Sequence, residues 1–298
     1  MDKTSGRTSL SRLVDNFGRE ITHLRISVTQ RCNLNCFYCH GEGEDNPGEE
    51  MSLDQITEIV RCFVDFGVKK IKITGGEPLI RKDIVEIVKI IAQTPGIEDL
   101  SLATNGYRLV ELSQPLKDAG LDRINIGCDS FTSTVSPKRM VDIENGLLAA
   151  KNAGFDPIKL NMVVLKNVNV DEIDAMIDFV RTHDLVLQLI ELIPTGNRIF
   201  DRFFYPLSEI ERRIKEKSSE MKVRRLQGRR IYNLHDAKVE IVSPSHVDFC
   251  SNCGKMRVTS DGMIKPCLIR NDNVVEFTGC DSIVEAVKRR TLNNGRND

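Results

Sequence analysis

Six short apolar runs recur along the first two-thirds of this chain, at residues 24–28, 69–74, 99–104, 123–127, 158–165 and 186–192. Stretches of about a dozen residues with helical spacing separate most of them: 52–66, 81–93, a segment ending near Gly120, 140–153 and 170–182. Ser52 with Gln55 three residues on reads as a capping box that opens the first helix. Apolar strands alternating with helices predict βαβ units and a parallel sheet. Six such units suit either an open doubly wound sheet or most of a barrel, and in both the ligand site lies at the C-terminal ends of the strands. Cys32, Gly76, Thr104 and Gly127 all fall at or just beyond those ends.

Outside this repeat the pattern changes. Residues 1–20 are polar and read as a loose lead-in; Gly41–Glu50 is a loop by composition. After Pro194-Thr195-Gly196-Asn197 come a charged helix from Pro206 to Lys217 and a basic run from Lys222 to Arg230, expected to be a solvated face. Strands are expected around Ile231 and over Val239–Val242. Asp261-Gly262 reads as a hairpin turn between Met256–Thr259 and Met263–Pro266. A helix over Ser282–Arg290 and a polar tail end the chain. The expected division is a lead-in (1–20), a strand–helix domain (21–200) and a C-terminal extension (201–298).

Nine cysteines change the picture, because six of them form two triplets. Cys32-x3-Cys36-x2-Cys39 follows the first strand, and Cys250-x2-Cys253-x13-Cys267 lies in the extension. Thiolates select zinc, copper(I) or iron–sulfur clusters. Three of them leave one metal position open, as a catalytic site requires. The bland readings are inert thiols or a structural zinc site, the second triplet then recruiting Cys280 or His246; its missing second knuckle argues against a ribbon. No apolar h-region or 18-residue apolar stretch is visible, so a cytoplasmic chain with reduced thiols is expected, Cys62 and Cys128 lying in the core. A net charge of −1 gives no bulk attraction for nucleic acid, so an anionic ligand needs a local basic pocket.

C-x3-C-x2-C after the first strand, with Gly75-Gly76-Glu77-Pro78 after the second, resembles the radical S-adenosylmethionine (SAM) superfamily. The second triplet and the Leu24-Arg25-Ile26-Ser27-Val28 context narrow the resemblance to the GTP 3′,8-cyclases that open molybdenum cofactor biosynthesis, over roughly nine-tenths of the chain. The resemblance implies an incomplete (βα)6 TIM-like barrel whose C-terminal extension carries a second cluster site. It implies two 4Fe–4S clusters, one held by Cys32, Cys36 and Cys39 and one by Cys250, Cys253 and Cys267. It places SAM against Tyr38, Gly76 and Gly127, and GTP among Arg25, Lys72, Lys159, Lys255, Met256 and Arg257. A reduced first cluster would cleave SAM to a 5′-deoxyadenosyl radical that takes hydrogen from C3′ of GTP, after which the ribose radical adds to C8.

The chain departs from the family pattern in several places. Lys72 and Lys255 stand where Arg is frequent, Ala103 where a Thr commonly meets GTP, Gly127 where a Ser commonly contacts SAM, and Ile193 where Met is common. The chain ends Arg296-Asn297-Asp298 rather than Gly-Gly. Implied partners are GTP, an electron donor, a downstream pterin-forming enzyme and a second copy in a homodimer, with no nucleic acid and no membrane. The alternatives are another radical SAM maturase with a peptide or tetrapyrrole substrate, and a zinc-ribbon nucleic-acid-binding protein.

Overall fold

The computed structural model describes residues 12–44, 47–193, 198–244 and 246–292. The expectations for residues 1–11, for Pro194–Asn197 and for the tail from Asn293 lie outside them, as do residues 45 and 46 of the loop. Strands and helices alternate as β1 (His23–Ser27), α1 (Leu53–Asp65), β2 (Lys70–Thr74), α2 (Ile84–Ala92), β3 (Asp99–Thr104), α3 (Leu109–Asp118), β4 (Arg123–Gly127), α4 (Met140–Asn152), β5 (Lys159–Val164), α5 (Ile173–Thr182) and β6 (Val186–Glu191). There follow α6 (Arg198–Phe203), α7 (Leu207–Lys217), β7 (Glu220–Val223), β8 (Arg230–Leu234), β9 (Ala237–Val242), α8 (Val247–Ser251), β10 (Lys255–Val258), β11 (Ile264–Lys265) and α9 (Cys280–Lys288). The capping box on α1 forms as its sequence implies: the Ser52 hydroxyl accepts from Gln55 N and Ser52 N donates to Gln55 Oε1.

All strands belong to one sheet in the order β11-β10-β1-β2-β3-β4-β5-β6-β9-β8-β7. The six repeat strands are neighbours in chain order, and every contact among them is parallel. This is the partial barrel rather than the doubly wound alternative. The extension adds a parallel strand at each edge, β10 beside β1 and β9 beside β6. Among the described residues the two edges do not pair. They approach closely enough for Lys255 Nζ on β10 to donate to Gln227 Oε1, in the turn before β8, at 2.7 Å.

Side chains on a strand alternate between faces, and here the two faces differ sharply. Leu24, Ile26, Ile71, Ile73, Leu100, Leu102, Ile124, Ile126, Leu160, Met162, Leu187 and Leu189 point outward beneath the helices, each buried to within 1%. Each contributes roughly 1.5–3 kcal/mol of burial. The alternate positions, among them Arg25, Lys72, Ser101, Asn125, Lys159, Asn161 and Gln188, point inward and line a cavity. The barrel is therefore apolar outside its strands and polar within. A one-residue slip of any strand would exchange these sets, so the pattern fixes the register.

Residues 12–20 are more ordered than a lead-in. Leu13 is buried, and Asp15 binds Arg19 on its own turn and Arg290 just beyond α9, tying the two ends of the described chain together. The expectation of nine reduced cysteines is also corrected: Cys62 on α1 and Cys280 at the start of α9 form a disulfide across 218 residues. Pairing leaves Cys280 unavailable as a zinc ligand. Seven cysteines are free.

Candidate active site

The first cysteine loop leaves β1 at the C-terminal end of the barrel, and Gly75-Gly76-Glu77 at the end of β2 grips it. Gly76 N donates to Thr29 O at 2.7 Å and Glu77 N to Arg31 O at 2.9 Å. A Cβ on Gly76 would lie 2.4 Å from Arg31 O, so only glycine admits this approach. The Glu77 side chain, 1% exposed, accepts from Thr104 Oγ1, Asn105 N and Leu79 N. Those bonds locate the turn against β3. Burial pushes the Glu77 carboxyl up, against the three donors.

Cys32, Cys36 and Cys39 all face the cavity. Backbone amides of Leu34 and Gly41 reach the sulfurs of Cys32 and Cys39, each at 3.4 Å. Phe37 packs at a tilt against Phe203 of α6, with ring centres 4.6 Å apart, and an apolar set including Leu165, Leu192 and Phe200 packs against Cys36, Phe37 and Tyr38. Burial raises the pKa of Cys32 and of Cys36. The Tyr38 hydroxyl is turned inward onto the Asp129 carboxylate, which also accepts from Ser136 Oγ and Val163 N.

The second triplet sits at the opposite end of the barrel. β10 runs parallel to β1 with Lys255 level with His23, so Cys253, two residues earlier, lies below the first residue of β1. Cys267 follows β11, which returns antiparallel to the same level. Burial opposes ionisation of the Cys253 thiol, but Arg290, Lys255 and Arg257 outweigh it and lower its pKa. None of the three cysteines lines the cavity that the first triplet faces, whereas Lys255 and Arg257, on the adjoining strand, do.

The cavity of about 430 Å³ is lined by cations on successive strands: Arg257, Arg25 and Lys72 share one register level across β10, β1 and β2, with Lys159 on β5 opposite. Two of these carry a carboxylate partner. Arg25 forms a bidentate pair with Glu42, whose carboxyl Arg25 holds down at about 2 in spite of burial. Lys159 donates to Glu240 Oε2 at 2.6 Å. Lys72, Lys255 and Arg257 have none among the described residues. Among those residues Lys72 Nζ meets only Asn125 Oδ1, at 2.8 Å, and Arg257 Nε is buried with no hydrogen-bond partner. Burial first, then neighbouring cations, pushes Lys72 and Lys255 well below the ordinary lysine range. Such a set is short of negative charge. His23, at the floor, is held neutral with its pKa down at about 3 by burial, Lys255, Lys70 and Arg224.

Met256 does not join this wall. Its side chain alternates to the outer face, fully buried, where Arg290 Nη1 lies 3.5 Å from its sulfur. Part of the expected solvated basic run does join it, while Lys222 and Arg225 stay exposed. Arg224 and Arg229 face the cavity, and Arg229 Nη1 donates to Glu240 Oε1 at 3.1 Å. Glu240, Gln188 and Asn125 occupy inward positions of otherwise apolar strands; that alternation was their signal. Gln227 and Lys138 sit in turns, where no periodicity marks them.

Neither triplet is drawn in around a single ion: among the described residues, no three His, Cys, Asp or Glu side chains converge on one metal position. A four-iron cluster asks for something different, since each thiolate holds a different iron. The amide donors to the sulfurs of Cys32 and Cys39 and the apolar packing beside Cys36 fit such a cluster.

Comparison with known proteins agrees with this geometry. Residues 26–180 match the radical SAM superfamily, and residues 185–280 the Molybdenum Cofactor Synthesis C family. A relative from Methanocella arvoryzae named "Probable GTP 3′,8-cyclase" is 43% identical over 288 residues, covering 94% of this chain and 92% of that protein. One of the same name from Methanothermobacter marburgensis is 44% identical over 297 residues, covering 93% and 97%. Among solved structures, Streptococcus suis SuiB bound to S-adenosylmethionine superposes with a TM-score of 0.61 at 16% identity, covering 83% of this chain. The chain spans 60% of SuiB's length, and the likeness is one of fold.

Proposed function

The chain belongs to the radical SAM superfamily and, within it, to the GTP 3′,8-cyclases, and on that footing we propose that it converts GTP into 3′,8-cyclo-7,8-dihydroguanosine triphosphate, the first step of molybdenum cofactor biosynthesis. The observation that supports this most is the placement of two cysteine triplets outside any disulfide, one lining a polar cavity and the other beyond its opposite end, with Lys72, Lys255 and Arg257 in the cavity wall lacking a carboxylate partner among the described residues. Cys32, Cys36 and Cys39 would hold a 4Fe–4S cluster at the C-terminal end, with SAM against Tyr38, Gly76 and Gly127. Cys250, Cys253 and Cys267 would hold the second cluster, beside the substrate.

When bound, the first cluster and SAM supply a 5′-deoxyadenosyl radical able to take hydrogen from C3′ of GTP. The chain's own residues bind and orient. Arg257, Lys72 and Lys255 offer charge that only an anionic ligand can satisfy, and a triphosphate suits them. Arg25 and Lys159, fixed by Glu42 and Glu240, keep their orientation before the substrate arrives. Met256 lies in the same strand between two of these cations and offers its backbone. Phe37, Phe203 and Leu192 cover the Cys36 side of the first triplet. The reaction needs a one-electron donor, and its product goes on to a pterin-forming enzyme. We place the enzyme in the cytoplasm, where such a donor is available, and expect a homodimer. Among the described residues no helix is long and apolar enough to cross a membrane.

Anaerobic purification with metal analysis, followed by incubation with SAM, dithionite and GTP, tests the proposal. About eight irons per chain, four in each cluster, and deoxyadenosine formed with GTP consumption support it. Zinc in place of iron, as a nucleic-acid-binding zinc ribbon requires, refutes it. Deoxyadenosine formation indifferent to GTP leaves a radical SAM enzyme with another substrate, such as a peptide or tetrapyrrole.

A further inference from the structure

Lys138 is a cation that none of the roles above uses. It lies in the connection between β4 and α4 and lines the cavity, its ammonium over the Tyr38 ring at 5.3 Å from the centroid. Among the described residues no acceptor takes a hydrogen bond from its Nζ. Asp129, the carboxylate that acts on it most strongly, is already engaged by Tyr38, Ser136 and Val163 N. Cys32, Cys36 and Cys39 line the same cavity, so the ammonium belongs to the wall that carries the first triplet.

Gly127 makes room for it. A Cβ built on Gly127 would stand 3.0 Å from Lys138 Cδ and 3.4 Å from Cε, so any side chain there would press the lysine aside. Gly127 is also the position where this chain lacks the hydroxyl expected to meet SAM. The lysine chain lies in the space that such a side chain would fill, and it brings a full charge. SAM carries a sulfonium, an ammonium and one carboxylate. A fixed cation in its site is repelled by the first two and attracted by the third.

We propose that Lys138 is a SAM-contacting residue whose ammonium binds the carboxylate of the methionine moiety, replacing the contact that Gly127 cannot make. This rests on the reading of the cavity's C-terminal end as a SAM site.

The test is equilibrium binding, on anaerobically reconstituted protein, of SAM and of decarboxylated SAM to the wild type, Lys138→Met and Lys138→Arg, with iron counted in each. Loss of one charge-assisted hydrogen bond predicts SAM binding weaker by about 10- to 100-fold in Lys138→Met. Affinity for the decarboxylated analogue stays within about twofold of the wild type, and Lys138→Arg recovers most of the loss. An equal loss for both ligands, or no loss for SAM, overturns the proposal. Should Lys138→Met lose its iron, Lys138→Gln carries the same comparison. A wild type that holds its irons but does not bind SAM overturns the SAM reading itself, and this proposal with it.

Discussion

Glu240 is fully buried on β9 and answers for three groups at once. It accepts from Lys159 and Gln188 at 2.6 Å and from Arg229 at 3.1 Å, and Arg224 stands 3.6 Å away. Those cations, with burial opposing them, hold its carboxyl well below the usual range. Glu240→Gln keeps the shape and one acceptor but leaves Lys159 and Arg229 without their counter-charge. Breaking a buried pair in this way costs about 3–5 kcal/mol. At about 2.1 cal/mol/K per residue over 298 residues, the unfolding entropy is roughly 0.6 kcal/mol/K, so Tm should fall by about 5–8 °C. The same cations face the proposed triphosphate site. Saturating GTP should therefore restore more than half of the deficit, giving the variant a larger nucleotide-induced rise in Tm than the wild type. Anaerobic scanning fluorimetry with and without GTP measures both shifts. An unliganded Tm within about 1 °C of the wild type would refute the counter-charge role, and equal nucleotide-induced shifts would refute the competition between Glu240 and the substrate.

Arg257→Ala should abolish GTP binding while GTP-independent SAM cleavage persists, read as deoxyadenosine yield; loss of cleavage itself counts against the role given to Arg257. Thiol titration of the denatured, iron-free protein should find seven thiols, and Cys62→Ala should lower the unfolding free energy by up to about 5 kcal/mol, given the 218-residue loop it opens; nine thiols would remove the disulfide. Because Lys72 is held well below the ordinary lysine value, the unfolded chain keeps a proton that the folded chain releases between the two pKa values. Stability of the free enzyme should thus rise with pH through that window. A bound triphosphate favours the charged lysine, so GTP binding should take up protons and weaken as pH rises there. Calorimetry in buffers of different ionisation heat reads the uptake, and zero uptake contradicts the assignment.

The six repeat strands were legible because each pairs an outward apolar set with flanking turn residues, and their limits shift by only a residue or two. The edge strand β7 was not, since all four of its residues are exposed and it carries no apolar face. The triplets were legible from spacing. Their separation to opposite ends was not, because it depends on β10 pairing with β1 at a particular register. Glu240 read as one residue of a short strand; only the β6–β9 pairing, which sets it level with Gln188, gives it Lys159 and Arg229. Glu42 lies in a loop at a positive φ of 56°, and nothing local foretells its pair with Arg25. The disulfide joins two helices whose packing no sequence spacing reports.

The extension's two strands also govern how the protein comes to exist. A nascent chain that has reached β6 holds a sheet with β1 and β6 as bare edges, each offering unpaired backbone to any passing strand. β6 waits for residues 237–242 and β1 for residues 255–258, more than 200 residues beyond the strand it protects. Such distant pairing forms slowly. The six-strand intermediate is therefore the stage at which chaperones have most to do. An overproduced chain cut near residue 200 should gather in inclusion bodies, where the whole chain stays in solution.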